Sequence, residues 1–348
     1  MQLGLNLGQW GAGDAGENLL LVREADRLGY RVVWVAEAYG TDVPAVLGWL
    51  AAQTEQIDLG AGVLQIPARS PAMTAMTAAT LDALSGGRFR LGLGVSGPQV
   101  SEGWHGVRFD KPLARTREYV GIVDAALRRE RVRFDGAHYQ LPLPGGPGKP
   151  LMLSLRPVRA HIPVYLASIG PKNLELTGEI ADGWMSIFFS TGHAAEQLDR
   201  LRAGRARRGL DLAGFDVVAN MAVVAGDDPE ACAAPVRPFA ALYLGGMGSR
   251  DQNFYHGLAT RMGFGAAADE VQRAFLARDY SAAAAAVPFE FLDATSLLGP
   301  PERIAGRMRE VSEAGATTLS LLPMAPSHDD RVDALRICRD ALAAEASE

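Results

Sequence analysis

The sequence predicts an α/β protein folded as a (β/α)8 barrel, the TIM-barrel architecture, with two insertions. A cassette of amphipathic helix, glycine stop and apolar strand recurs four times along the chain. Four further apolar runs fill the gaps between the cassettes, which gives eight strands. Strands joined by crossover helices are parallel, and parallel strands covered on both faces appear in sequence as unbroken apolar runs. An open sheet of six or seven strands is the alternative architecture.

The elements can be followed in chain order. After a first strand at 3–7, a helix with apolar residues Leu21, Ala25 and Leu28 ends at Gly29, which suits the left-handed C′ position. A buried strand then covers 32–35. The other strands are predicted at 57–63, from Arg88, at 164–167, after Gly183, at 217–224 and after Gly315.

Two stretches do not fit the cassette and are predicted as insertions in one domain that spans 1–348. Residues 133–163 combine a hairpin around Asp135 and Gly136 with a proline-rich excursion before strand 5. Residues 229–300 are predicted as a helical insertion before strand 8, with glycine breaks and an alanine run that favours helix. No linker indicates a second domain.

The stretch RFRLGLGVSGPQ has the G-x-G-x-x-G spacing of a dinucleotide fingerprint, at Gly92, Gly94 and Gly97. That fingerprint requires a helix to open at the third glycine. Gly103 and Gly106 follow soon after and are expected to prevent a full helical turn, so this interpretation is rejected. In a barrel, such glycines either let a ligand approach the strand or relieve crowding between strands.

Composition excludes several classes of protein. The net charge of −6, without a basic cluster, argues against nucleic acid and anionic membranes as partners. Cys232 and Cys338 are far apart, which favours buried thiols in a reducing compartment. The N-terminus lacks a signal-peptide pattern, and no apolar run approaches the ~18 residues of a membrane helix, so we expect a cytoplasmic protein. No metal-ligand spacing or P-loop is present, and no metal is predicted.

Barrel active sites lie at the C-terminal ends of the strands, so residues just after each strand are the candidates. Strand 5 gives the clearest signal, because it passes directly into a helix that begins at Pro171. Free N–H groups of the first turn and the charge of Lys172 would form an anion site. A plain Gly-Pro turn that starts a helix is the alternative. The candidates after strands 2, 4 and 5 include Glu37, Tyr39, Ser96, Gly97, Pro98, Glu102, Ser168, Gly170, Pro171 and Lys172.

A set of segments in order along the chain resembles the luciferase-like monooxygenase superfamily, in its branch of coenzyme F420-dependent oxidoreductases. These segments are MQLGLNLGQW, VWVAEAYGTD, LGAGVLQIPARSPAMTAM, LSGGRFRLGLGVSGPQVSEGWHG, LARTREY, IGPKNLELTGEIADGW, LYLGGMG, NFYHGLATRMGFG and LLGPPERI. The resemblance implies a (β/α)8 barrel with the deazaflavin at the C-terminal mouth, and a homodimer.

The resemblance also implies specific cofactor contacts. The phosphate of the anionic tail would lie at the strand-5 turn, beside Ser168, Gly170, Pro171 and Lys172. A non-proline cis peptide bond behind the ring would fall between Gly62 and Val63, and Ser96, Gly97 and Pro98 would line the ring. Many relatives have a carboxylate followed by His after strand 2, whereas this chain has Glu37 followed by Ala38. Proton handling would then fall to Glu37, Tyr39, Glu102 or water, and Glu37 could instead only hydrogen-bond the ring or nearby backbone.

The implied reaction is hydride transfer between C5 of F420 and an electrophilic carbon, in an imine, ketone or activated C=C. Reduction is favoured over oxygenation because reduced deazaflavin reacts poorly with oxygen. The substrate would be a small molecule or a modified peptide. An FMN-dependent monooxygenase on the same fold is one alternative, and a non-catalytic flavin- or deazaflavin-binding protein is another.

Overall fold

The computed structural model describes residues 1–10, 15–250 and 252–345. Its strands, numbered along the chain, are β1 (Gln2–Gln9), β2 (Val32–Ala36), β3 (Asp58–Ala61), β4 (Leu64–Gln65), β5 (Phe89–Gly94), β6 (Phe134–Asp135), β7 (Gln140–Leu141), β8 (Val164–Ala167), β9 (Gly183–Met185), β10 (Asp216–Ala225), β11 (Ser296–Gly299) and β12 (Thr318–Pro323). Eight of them form a closed parallel ring in the order β1, β2, β3, β5, β8, β9, β10 and β12. Pairing of β12 with β1 closes the ring, which confirms the predicted barrel.

Helices follow most of the ring strands and cover the outside of the barrel. They are α1 (Ala15–Arg27), α2 (Val43–Ala51), α3 (Pro71–Leu84), α4 (Pro98–Gly103), α5 (Pro112–Leu127), α6 (Pro171–Ile180), α7 (Thr191–Ala206), α8 (Pro229–Ala233), α9 (Arg237–Ala241), α10 (Phe254–Arg261), α11 (Gly265–Leu276), α12 (Tyr280–Ala285), α13 (Phe289–Thr295), α14 (Pro301–Glu313) and α15 (His328–Glu345). A 3-10 turn covers Ile66–Ala68, and a π-helical turn covers Leu242–Gly246. Among the described residues, no helix has both the length and the apolar character needed to cross a bilayer.

The helix–glycine–strand cassette forms largely as predicted. Gly29 and Gly315 have φ angles of +79° and +99°, the left-handed conformation that ends a helix at low cost in glycine. Gly183 does not serve as such a stop. It lies inside β9, where an added Cβ would overlap the Tyr165 ring, so its role is to allow close packing inside the barrel.

The glycine-rich strand β5 is packed tightly against its neighbours. A Cβ on Gly92 would overlap the carbonyl oxygen of Ala61, and one on Gly94 would lie 2.6 Å from Cγ2 of Val63. Relief of crowding therefore explains both glycines without a ligand. The prediction that no helical turn follows this motif is wrong, because α4 begins directly after Gly97. The strand before it nevertheless belongs to a closed barrel and not to a dinucleotide-binding sheet.

The two predicted insertions contain the following elements. In 133–163, β6 and β7 pair antiparallel as the expected hairpin, and most of the remainder is irregular. Residues 229–300 contain α8 to α13, and the alanine run lies in α12 except for its last residue. They also contain β11, which extends the sheet beside β10 and was not predicted. Its four residues, SLLG, lie between two helices and give too little pattern to separate strand from helix.

Candidate active site

A cavity of about 860 Å³ opens at the C-terminal ends of the barrel strands, where barrel enzymes place their chemistry. Its walls come from the ends of the ring strands, from the start of α5 and from the helical insertion, mainly within 236–247 and at 254–255. This volume lies within the range of small-molecule and cofactor sites. Ten of the twelve candidate residues predicted from the sequence line it: Glu37, Tyr39, Gly62, Val63, Ser96, Gly97, Ser168, Gly170, Pro171 and Lys172.

Glu37, at the end of β2, is held by a buried ion pair. Its carboxylate accepts hydrogen bonds from the Arg69 guanidinium at 2.5 and 2.8 Å and from the backbone N–H groups of Val43 and Gln65. Burial alone would lower the pKa of Arg69, but the carboxylates of Glu37 and Asp42 outweigh it and raise the pKa above its usual value, so Arg69 stays charged. With four donors on one carboxylate, Glu37 acts first as an anchor between β2, the segment after β3, and α2.

The other two acid candidates lie in different places. Tyr39 lies two residues after Glu37, is 55% exposed and lines the cavity. Glu102 lies in α4 and does not line the cavity; its carboxylate accepts a hydrogen bond from the Phe109 N–H at 3.0 Å. Tyr39 is therefore the better placed of the two to reach a molecule in the cavity.

The segments after β3 and β5 meet on one side of the cavity. The peptide bond between Gly62 and Val63 is cis, at the position that the family resemblance implies. Ser96 has a φ of +62° and its Oγ donates to Oε1 of Gln65 at 3.0 Å. Pro98 is set back from the cavity as the first residue of α4, whereas Gly97 faces it.

The turn after β8 has the features expected of an anion site. Helix α6 begins at Pro171, and the N–H groups of Gly170 and Lys172 have no hydrogen-bond partner among the described residues. The Ser168 hydroxyl is engaged with Thr177, so it supports the turn from within. Arg261, at the end of α10, donates to the Ile169 carbonyl at 3.3 Å and brings a second positive charge to this turn.

Two parts of the cavity were not predicted from the sequence. The first is a polar floor, where Asn6 Nδ2 donates to Asn220 Oδ1 at 3.1 Å and Asn220 Nδ2 donates to the Ser186 carbonyl at 2.6 Å. An asparagine inside an otherwise apolar strand was the available signal for both Asn6 and Asn220.

The second unpredicted part is an aromatic wall. It consists of Phe188, Phe239, Tyr243, Phe254 and Tyr255, all but the first from the helical insertion. Tyr243 is central to it, with ring centroids 4.7 Å from Phe239 and 4.8 Å from Tyr255. Single aromatic residues in a helical insertion look like core residues in sequence, so no local signal separated them from packing.

Space for a bound ligand is visible at two glycines. An added Cβ at Gly97 or Gly170 would meet no atom within 4 Å, and both have φ angles that any residue can adopt. The protein itself therefore does not require glycine at either position. A side chain there would occupy the cavity, which fits a bound molecule that approaches the backbone closely.

Comparisons with known proteins agree with this architecture. The profile of the luciferase-like monooxygenase family matches residues 4–318. A protein of Mycobacterium tuberculosis, provisionally named a coenzyme F420-dependent oxidoreductase, is 44% identical over 92% of this chain and 94% of its own length. The 5,10-methylenetetrahydromethanopterin reductase of Archaeoglobus fulgidus is 30% identical over 85% of this chain and 86% of its own.

Among solved structures, the coenzyme F420-dependent tetrahydromethanopterin reductase of Methanopyrus kandleri superposes with a TM-score of 0.80. It is 22% identical and covers 98% of this chain and 97% of its own, so it supports the fold alone. The barrel, its helical insertion and the family profile extend together over most of the chain, and the chain belongs to the luciferase-like monooxygenase family.

Proposed function

We propose that this chain is a coenzyme F420-dependent oxidoreductase. It transfers a hydride between C5 of the deazaflavin and an electrophilic carbon of a small molecule or modified peptide, chiefly as a reductase. The main support is the combination of a large cavity at the strand ends with an open helix N-terminus at one side of it. When bound, F420 supplies a two-electron hydride donor or acceptor. The 44% identical relative, named for F420, supports the same cofactor here.

The strand-5 turn would hold the anionic tail of the cofactor. The unpaired N–H groups of Gly170 and Lys172 point to a ligand that accepts hydrogen bonds, and the helix dipole favours a negative one. The ammonium of Lys172 and the guanidinium of Arg261 add charge of the required sign. Pro171 fixes the first turn, and Ser168 braces it through Thr177.

The deazaflavin ring would lie against the cis peptide bond between Gly62 and Val63 on one side of the cavity. Ser96 and Gly97 would form the edge of this ring site, and Pro98 would set the direction of the loop behind them. The open space above Gly97 is what a flat ring close to the backbone needs.

Proton handling is assigned among the three predicted residues by their surroundings. Tyr39 lines the cavity and is half exposed, so it can exchange a proton with solvent. Glu37 is bound by four donors, and its role is to position the loops that follow β2 and β3. Glu102 would reach the cavity only by leaving its contact with Phe109, so it ranks last.

The chain is also proposed to act as a homodimer through α2 and α3. The exposed positions of these two helices include no charged side chain, and they present Trp49, Met73, Met76 and Leu84 at 41–62% exposure. Apolar faces of this kind on neighbouring helices favour a protein interface. Replacement of Met76 by Glu should give monomers by light scattering, whereas Leu143→Glu, on an exposed loop elsewhere, should not. Equal masses for both variants would contradict this assignment.

Equilibrium binding of F420 and FMN, offered separately at equal concentration, tests the cofactor. We expect tight F420 binding, weak FMN binding and turnover without oxygen consumption. Lys172→Ala should weaken F420 binding about 5-fold or more, and Gly170→Asp more strongly, because it places a like charge at the tail. Lys149→Ala, on an exposed loop outside the cavity, is the matched control. Preference for FMN, or unchanged F420 affinity in both site variants, would overturn the proposal.

A further inference from the structure

The lining of the cavity carries few charged side chains. Of the described residues that line it, only Glu37 and Lys172 have an acidic or basic side chain. Glu37 is paired with Arg69, and Lys172 lies in the first turn of α6, at the strand-5 turn. The aromatic wall of Phe188, Phe239, Tyr243, Phe254 and Tyr255 therefore faces a space without a counter-charge for a charged substrate.

Two phenol hydroxyls in this wall lack protein partners. Neither Tyr243 nor Tyr255 donates or accepts a side-chain hydrogen bond with any described residue. Burial, together with the nearby Tyr39, raises the pKa of Tyr243 to about 12, and burial also raises the pKa of Tyr255. Both phenols therefore remain protonated at neutral pH and are hydrogen-bond donors. Because both residues line the cavity, their hydroxyls are available to an acceptor bound there.

The protein holds the two tyrosines in a fixed relation through Asn253. Its Nδ2 donates to the carbonyls of Tyr243 and Leu244 at 3.0 and 2.8 Å, and its Oδ1 accepts from the N–H groups of Tyr255 and His256. One side chain thus joins the π-helical turn to the first turn of α10. π-Helical turns are rare and occur frequently at functional sites.

Close packing supports the same turn from behind. An added Cβ at Gly245 would lie 2.5 Å from the Cβ of Phe275, so glycine lets the turn pack directly on α11. The perpendicular rings of Tyr243 and Tyr255, with centroids 4.8 Å apart, complete the arrangement. Such support is expected where side chains must keep one geometry for a ligand and is not needed for a surface helix.

We infer that the aromatic wall is the substrate subsite, that it takes an uncharged carbonyl compound with a flat apolar body, and that Tyr243 and Tyr255 donate hydrogen bonds to the carbonyl oxygen. This rests on the proposed function. Among imines, ketones and activated alkenes it favours ketones, because a cationic iminium would find no free carboxylate in the described lining and an alkene carbon offers no acceptor to the two phenols.

The reductive step balances with these groups. A hydride with its two electrons forms the new C–H bond at the carbonyl carbon, the C=O π pair moves to oxygen, and a tyrosine proton passes to that oxygen. Bound reduced F420 would supply that hydride with its two electrons and would itself be oxidised. The alkoxide is a stronger base than a phenolate, so proton transfer from the phenol is favourable. Tyr39, half exposed and close enough to affect the pKa of Tyr243, would return the proton from solvent.

Infrared spectroscopy of acetophenone, labelled with ¹³C at the carbonyl carbon, tests this inference in enzyme loaded with oxidised F420, where no turnover occurs. Bound acetophenone should show a C=O stretch at lower frequency than in an apolar solvent. Tyr243→Phe and Tyr255→Phe should each reverse part of that shift and weaken acetophenone binding about 3- to 10-fold. Tyr280→Phe, an exposed tyrosine outside the cavity, is the control and should change neither quantity.

Kinetics and other probes complete the test. With reduced F420, each cavity variant should raise the KM for acetophenone, and thermal unfolding of each should match the parent protein. Unchanged affinity and C=O frequency in folded Tyr243→Phe and Tyr255→Phe proteins would refute the inference. Tighter binding of benzoate or benzylammonium than of acetophenone would also refute it. Failure of the parent protein to bind F420 at all would instead refute the proposed function, so the two failures are distinguishable.

Discussion

The buried ion pair between Glu37 and Arg69 decides whether Glu37 is a structural anchor or a proton donor. The side chains of Glu37 and Arg69 are only 6% and 14% exposed. In Arg69→Met the Glu37 carboxylate would keep two backbone donors and lose two charge-assisted ones. Breaking one side of a buried pair costs about 3–5 kcal/mol. Because the cavity adjoins the pair, we expect the lower end of that range, about 3 kcal/mol.

The corresponding change in melting temperature follows from the size of the chain. Unfolding entropy of ~2.1 cal/mol/K per residue, for 348 residues, gives about 0.7 kcal/mol/K. A loss of about 3 kcal/mol then lowers Tm by about 4 °C. Glu37→Gln should lower it by a similar amount. The double variant should lose clearly less than the sum of the two, with a coupling of about 1.5 kcal/mol or more.

Calorimetry or near-UV circular dichroism of the four proteins measures this cycle, and F420 turnover is assayed on the same samples below the melting range. An anchor role predicts a Tm loss and a modest change in turnover. A proton-donor role predicts the reverse pattern, with Glu37→Gln at parental Tm and turnover reduced by about 10²- to 10⁴-fold. That second pattern, or simple additivity of the two variants, would refute the reasoning.

Other predictions follow from packing and charge. Gly92→Ala should lower the free energy of unfolding in denaturant by about 1–3 kcal/mol, because the new Cβ would overlap the backbone of Ala61. Gly97→Ala should leave that free energy unchanged, because its Cβ would enter open space. Equal effects of the two variants would contradict this contrast. Hydrogen bonds from Arg117 and Arg207 outweigh the effect of partial burial and lower the pKa of Glu179 from 4.5 to about 2. The ion pairs of Glu179 should therefore contribute fully to folding stability above pH 4.5, and this contribution should be lost as pH falls towards 2. Glu179→Gln should flatten the Tm profile in that window; an unchanged profile would contradict the assignment. Burial raises the pKa of Cys338 to about 12, so a thiol reagent at pH 8 should label it only after unfolding. Labelling of native protein at Cys338 would show that the helix opens.

The barrel was predictable because parallel strands buried on both faces leave long apolar runs in sequence. The start of α6 at Pro171 was predictable from a local signal, because proline suits the first helical turn. Short elements were not predicted, because they contain too few residues to show a periodic pattern. Strand β11 has four residues, and α4 fits between Gly97 and the next loop despite its own glycine. The assignment of one domain over 1–348 and the roles of the site residues remain predictions.

Contacts between distant segments were not predictable from one sequence. Glu37 and Arg69 are 32 residues apart, and nothing in either local pattern indicates that one neutralises the other. The sequence left Glu37 either as an acid or as a hydrogen-bond partner of the ring or nearby backbone. In the structure it accepts from two backbone N–H groups and also pairs with Arg69, which no local pattern indicated. The aromatic wall has the same origin, because Phe188 and Tyr243 come together only when the insertion folds over the barrel mouth.

These two long-range arrangements set the charge of the cavity lining, on which the inferred carbonyl subsite depends. Glu37 is engaged by Arg69, and the insertion contributes aromatic rings and two phenols to the cavity wall. A charged substrate entering there would lose its hydration without gaining a partner, which costs several kcal/mol. In the inferred subsite, a neutral carbonyl compound would lose little and gain two hydrogen bonds. On this inference, substrate selection depends on the cost of desolvating charge, and Arg69 and Asn253 set that cost because they hold Glu37 and Tyr243 in place.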